Sequence, residues 1–199
     1  MLSAHHLSCV RGHRPLFSGL AFRVEPGSWT QVRGANGSGK TSLLRLLAGL
    51  ARPDEGEVRW QGAAIGGEDF RRALMYLGHG AAVKEDLTAS ENLRFAAGAE
   101  GATLSRERAA EALARFGLAG REDLPVRHLS AGQKRRVLLA RTLTRPAQLW
   151  ILDEPFTALD GKAVEVLAQL GAGHVAGGGM AVLTSHQPIP LPGGQVVEL

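Results

Sequence analysis

A chain of 199 residues with 44% hydrophobic and 21% charged content can bury one full core and has the composition of an ordinary globular protein. No apolar run approaches the roughly 18 residues of a membrane span, the stretch 1–14 has no signal-peptide pattern, and the single cysteine, Cys9, excludes an internal disulfide. The net charge of +4 comes mostly from scattered arginines, which reads as a solvated surface compatible with nearby acidic lipid, and no nucleic-acid partner is expected. The composition therefore predicts a soluble protein of a reducing, cytoplasmic compartment.

Short β-rich runs alternate with helical ones, the pattern of an α/β fold with a largely parallel sheet. Strands are predicted at 2–7, 20–24, 28–32, 56–60, 73–77, 148–152, 180–184 and 195–199. A helix is predicted from Lys40 to near Gly49, with Leu43, Leu44, Leu46 and Leu47 giving a broad apolar face. From about 84 to 145 the strand signal disappears. There Thr88 and Glu91 form a capping-box sequence, and Ser105 precedes a helix with Ala109, Ala112, Leu113 and Phe116 on one face. Ser130 and Gln133 open a third helix, predicted to run to Arg145 before Pro146. Gly177-Gly178-Gly179 reads as a turn. The expectation is a single domain over 1–199 with a helical subdomain at about 84–145 and no room for a regulatory domain.

Two patterns carry chemistry by themselves. Gly34-Ala35-Asn36-Gly37-Ser38-Gly39-Lys40-Thr41, followed by Ser42, fits G-x-x-x-x-G-K-[ST] between a predicted strand and a predicted helix. Such a loop points backbone N–H groups at phosphate oxygens, and the helix N-terminus behind it favours the same negative charge. Lys40 is then the partner of the β- and γ-phosphates of ATP, and the Thr41 hydroxyl is a ligand for Mg²⁺. Leu149-Trp150-Ile151-Leu152-Asp153-Glu154 is an apolar strand ending in two carboxylates. It delivers Asp153 to the carboxyl edge of the sheet to orient a metal shell, and Glu154 to the position of a general base for attack on the γ-phosphate.

Leu129-Ser130-Ala131-Gly132-Gln133 reads almost letter for letter as LSGGQ, the signature of the ABC-type ATPases, with Ala131 in place of one usual glycine. Ala158-Leu159-Asp160 resembles the family's D-loop, and His186, after the predicted strand 180–184, resembles its switch histidine, which contacts the γ-phosphate. The resemblance implies a P-loop NTPase (RecA-like) core with a β-rich N-terminal part and an inserted helical subdomain. It also implies a head-to-tail dimer in which Ser130, Ala131, Gly132, Gln133 and Asp160 serve the ATP bound to the other copy. Two positions depart from the family. His79 stands where a glutamine usually closes the strand before the helical subdomain; a neutral imidazole can accept from water or bind a metal, and an imidazolium cannot. Arg11 stands where an aromatic residue often stacks on adenine; a guanidinium can stack there or simply face solvent.

The run Tyr76-Leu77-Gly78-His79, then Lys84, Leu87-Thr88 and Glu91-Asn92-Leu93, resembles the ATP-binding subunits of the cytochrome c biogenesis haem exporters (CcmA type). So do Leu16-Phe17-Ser18-Gly19-Leu20 and the ending Thr184-Ser185-His186-Gln187, whereas Gly80 replaces an expected glutamine. This implies a peripheral ATPase on the cytoplasmic face of the bacterial inner membrane, serving integral membrane subunits that handle haem or release a haem chaperone. An exporter of another small molecule is the alternative. A non-transport ABC ATPase is disfavoured by the single cassette and small helical insertion, and a GTPase or small-molecule kinase by the signature and the missing N-K-x-D. Replacing Lys40 by Ala is expected to weaken ATP binding by at least about tenfold, since a charge-assisted contact to phosphate is lost. Titration calorimetry checks this, and an unchanged affinity would remove Lys40 from the phosphate site.

Overall fold

Strand-forming residues dominate the first sixty positions, and they build an antiparallel sheet from β1 (Leu2–Arg11), β2 (Arg14–Val24), β4 (Glu55–Trp60) and β5 (Ala63–Ala64), in the order β2-β1-β4-β5. The computed structural model describes residues 1–80, 82–186 and 189–199. By their contacts they form two compact units: Met1–His79 with Ala147–Pro155 and Gly171–Leu199, and Gly80–Pro146 with Phe156–Leu170. β1 and β2 both run longer than their apolar alternation predicts. Register shifts between Ala4 and Leu7, Leu7 and Cys9, and Cys9 and Val10 reset which side chains face inward, so strict alternation lapses while pairing continues.

The second sheet of this unit is wholly parallel among its paired strands, in the order β6-β7-β8-β3-β9. It comprises β3 (Ser28–Arg33), β6 (Leu74–Leu77), β7 (Leu149–Leu152), β8 (Met180–Thr184) and β9 (Gln195–Glu198). β7 and β8 are buried at every position, as strands covered on both faces must be. The helix α1 (Lys40–Leu47) packs against β1 as well as β7 and β8, and so lies between the two sheets. That explains its broad apolar face: Leu43, Leu44, Leu46 and Leu47 are completely buried, each worth about 1.5–3 kcal/mol of transfer free energy. A short helix, α2 (Glu68–Ala73), takes Ala73 from the predicted strand, with Glu68 and Asp69 in its first turn and Arg71 and Arg72 in its last.

The second unit is helical, with α3 (Ala89–Ala99), α4 (Arg106–Arg115), a 3₁₀ turn at Val126–His128, α5 (Ala131–Leu139) and α6 (Arg141–Thr144). Both predicted capping boxes form. Thr88 N–H donates to Glu91 Oε2 at 2.8 Å and Glu91 N–H to Thr88 Oγ1 at 3.1 Å. Ser130 N–H donates to Gln133 Oε1 at 2.9 Å and Gln133 N–H to Ser130 Oγ at 3.3 Å. The single helix predicted from Ser130 to Arg145 is divided at Ala140. The Thr142 hydroxyl donates to Leu139 O at 2.7 Å, and Leu143 N–H turns to Ala140 O at 3.1 Å, a tightening by local side-chain competition.

The helix α7 (Gly161–Ala176) was not expected, although its start is marked: the Asp160 carboxylate accepts Ala163 N–H at 2.9 Å, as an N-cap does. In the first unit, His174 near its end stacks on Trp150 with centroids 4.0 Å apart and donates from Nε2 to Met180 O at 3.0 Å. Burial holds the His174 imidazole below its ordinary pKa of 6.5. A base depressed by folding takes its proton first in the unfolded chain, so stability is lost as pH falls below about 6.5. The midpoint of urea unfolding is therefore expected to drop between pH 7.5 and 5.5, and to drop less in His174→Phe; equal losses in both proteins would refute this.

Candidate functional site

Parallel strands deliver their carboxyl ends to one edge of a sheet, and the groups that follow those ends line a common crevice. Here the glycine-rich loop 34–39 follows β3, His79 follows β6, Asp153-Glu154 follow β7, and Ser185-His186 follow β8. The resulting cleft, about 440 Å³, is lined by Arg11, Leu16, Asn36, Gly37, Gly39, Lys40, Thr41, Ser42, His79, Asp153, Glu154 and His186. All of them belong to the first unit.

The loop is shaped by its first glycine. Gly34 has φ +149, and a Cβ there would meet Ser38 Oγ at 2.5 Å and Leu199 O at 2.8 Å, so only glycine lets the chain turn so closely. Lys40 is nearly buried, and its Nζ donates to Gly34 O at 2.8 Å and Ala35 O at 3.1 Å, which fixes the ammonium over the loop. The Thr41 hydroxyl donates to Asp153 Oδ2 at 2.7 Å. Asp153 is buried, and its Oδ1 accepts from the Thr184 hydroxyl at 2.6 Å. That hydroxyl in turn accepts Glu154 N–H at 2.7 Å. Thr184 is the site residue that the motifs overlooked; its signal is a hydroxyl closing an otherwise apolar, fully buried strand, where a polar atom needs a partner.

Glu154 has a left-handed backbone, φ +50, unusual for a side chain of its size and worth on the order of 1 kcal/mol of strain. Its Oε1 lies 3.4 Å from His186 Nε2. Glu154 is buried while His186 is exposed, so the carboxylate sits at the base of the cleft and the imidazole at its rim. Burial pushes the Tyr76 phenol above its usual range; the Asp153 carboxylate adds to this and Arg45 opposes it. Gln187, part of the expected ending, lies outside the described residues.

Ser130, Ala131, Gly132, Gln133 and Asp160 belong to the second unit. Ser130 caps α5, whose first turn carries no acidic residue. Gly132 packs against the segment before α7: a Cβ on it would lie 2.7 Å from Ala158 O, and Ala158 itself is left-handed at φ +62. One turn further along α5, Arg136 binds the Asp160 carboxylate at 2.9 Å. Ala131, by contrast, lies at the first helical position with no positive φ, so its methyl is accommodated.

A G-x-x-x-x-G-K-[ST] loop, an acid pair closing a buried strand of the same parallel sheet, and a capped helix opening on Ser130-Ala131-Gly132-Gln133 and packed on an Ala-Leu-Asp loop are the features of an ABC-type ATPase. The ABC transporter family pattern matches residues 17–157. The cytochrome c biogenesis ATP-binding export protein CcmA of Dechloromonas aromatica is 54% identical over 201 positions, covering 100% of this chain and 98% of that one. Among solved structures, an ATP-binding subunit of an ABC transporter is 31% identical with a TM-score of 0.82, over 93% of this chain and 79% of that one. A dimeric ATP-binding cassette in a post-hydrolysis state with ADP and Pi shares the fold at 24% identity and TM-score 0.86, over 100% of this chain and 94% of that one. The chain belongs to the ABC transporter ATP-binding proteins and, within them, to the CcmA family of cytochrome c biogenesis ATP-binding export proteins. It binds nucleotide and hydrolyses ATP as the ATPase subunit of a transporter.

The two signature positions should respond differently to substitution. Gly132→Ala is expected to destabilise the protein by about 1–3 kcal/mol, because the new methyl must displace a backbone carbonyl. Ala131→Gly should cost no more than roughly 0.5–1 kcal/mol. Chemical denaturation of both variants checks the order, and equal costs would contradict the packing described.

Proposed function

We propose that this ATPase powers a step of cytochrome c assembly, the export of haem or the release of a haem chaperone, at the cytoplasmic face of the bacterial inner membrane. Integral membrane subunits hold it there and receive the stroke. The observation that carries this reading is the convergence of Lys40, Thr41, Asp153, Glu154 and His186 on one cleft in a chain so close to a named cytochrome c biogenesis export protein. Among the described residues no helix is long and apolar enough to cross a membrane.

In this reading the loop from Gly34 to Ser42 cradles the phosphates of ATP with its backbone, and Lys40 pairs with the β- and γ-phosphates. Arg11, at the edge of the same cleft, stacks on adenine. Thr41 and Asp153 hold Mg²⁺. Their oxygens are already adjacent at 2.7 Å, and a hydroxyl and a carboxylate are the hard donors this cation takes. Among the described residues no three His, Cys, Asp or Glu side chains cluster as a protein cage, which suits an ion completing its shell with phosphate and water oxygens. When bound, Mg²⁺ neutralises charge building on the phosphates. Glu154 takes the proton of the attacking water, His186 contacts the γ-phosphate, and His79 orients water or metal from the end of β6. The helical segment at about 84–145 acts as the subdomain that faces a second copy. In the head-to-tail dimer, Ser130, Ala131, Gly132 and Gln133 meet the phosphates bound by the partner copy, with Asp160 beside them. A helix N-terminus with a small-residue approach suits that anion.

Glu154→Gln is expected to keep ATP affinity, lower the hydrolysis rate by about 10²-fold or more, and accumulate an ATP-dependent dimer on size exclusion. Membrane proteins captured with this variant should be the cytochrome c assembly subunits. A variant turning over at the wild-type rate would take Glu154 out of the base role, and capture of another transporter's subunits would overturn the assignment to cytochrome c assembly.

A further inference from the structure

Thr184 closes β8, a strand buried at every position, and is itself completely buried. Its hydroxyl is used in both directions. Glu154 N–H, which can only donate, gives to Thr184 Oγ1 at 2.7 Å, so the hydroxyl proton points to Asp153 Oδ1 at 2.6 Å. Asp153 Oδ2 accepts from Thr41 at 2.7 Å. The carboxylate is thus gripped between two hydroxyls, one from α1 and one from β8. β8 pairs Leu183 with Leu152 on one side and Thr184 with Val32 on the other. Thr184 therefore sits between the strand that carries the acid pair and the strand that feeds the phosphate-binding loop.

We propose that Thr184 is a positioning residue for ATP hydrolysis. Its hydroxyl fixes the rotation of the Asp153 carboxylate and, through the amide of Glu154, the left-handed turn that aims the Glu154 side chain into the cleft. A valine of the same shape would fill the space and do neither. This inference rests on the reading of Asp153 and Glu154 as metal-orienting and base groups.

The test compares Thr184→Val and Thr184→Ser with wild type, and uses Asp153→Asn and Glu154→Gln as references, in steady-state ATP hydrolysis, ATP titration and thermal melting. A hydrogen bond to a charged group is lost in the valine variant, so kcat should fall about tenfold or more while KM and ATP affinity move less than about threefold. Serine restores the hydroxyl and should bring kcat back to within about threefold of wild type. Hydrolysis by Thr184→Val at the wild-type rate, with Asp153→Asn inactive, would overturn the role of Thr184 and leave the acid pair standing. A kcat loss that serine fails to restore, or one matched by a drop in melting temperature, would show a merely structural threonine. Wild-type rates in both Asp153→Asn and Glu154→Gln would bring down the acid-pair reading and this inference with it.

Discussion

Everything at this site depends on placing two carboxylates at the end of a strand that sees no water. β7 is buried along its whole length between β6 and β8, so the first place it can release charge is its carboxyl end. Even there Asp153 remains buried. A carboxylate so placed is tolerable only if hydrogen bonds replace the water it has lost. Thr41 and Thr184 supply them from two neighbouring elements, and Asp153 N–H is spent on Leu77 O at 2.8 Å, extending the ladder with β6 by one residue. The solvation of one acid thereby becomes a geometric link between α1 and two strands.

That link accounts for the strain next door. Glu154 breaks from the strand in a conformation that its side chain disfavours, and Thr184 receives the amide exposed by the turn. The turn lets Asp153 stay in the ladder while Glu154 reaches His186. A relaxed, extended Glu154 would continue the strand and point its carboxylate to the face opposite Asp153, by the period-two rule. A local cost on the order of 1 kcal/mol is small beside what the turn achieves, a buried carboxylate set in the cleft beside His186.

Much of the cleft was legible because its parts are short and local. The loop from Gly34 to Thr41, the acid pair and the histidine after β8 each lie within a few residues of a strand end, and parallel strands bring such ends together. The capping boxes at Thr88 and Ser130 were equally local and form as written. What escaped needed either long-range pairing or competition between close alternatives. β1 and β2 exceed their predicted spans because bulges interrupt alternation, which pairing along the partner strands tolerates. The helix predicted over 130–145 breaks at Ala140 because one threonine hydroxyl takes a carbonyl that the helix would otherwise use. α7 starts just after a residue that the D-loop motif already claims: Asp160 caps it, so its start carries no separate signal in the sequence. Thr184 was invisible as chemistry, since its partners lie about thirty residues away in sequence, at Asp153 and Glu154.

One departure from the ABC pattern, Ala131, falls where the backbone is permissive. Ala131 replaces a glycine at the first position of α5, where the backbone is ordinary and the residue is exposed. The neighbouring Gly132 is retained where Ala158 O stands too close for any side chain. Arg136 on α5 also pairs with Asp160, the cap of α7, so the two elements are tied at a second point. The start of α5 and the segment leading into α7 are therefore packed directly on each other. An alanine at position 131 leaves that packing intact, whereas one at 132 would prise it open. The identity of a signature residue is thus set here by which glycine faces a backbone carbonyl.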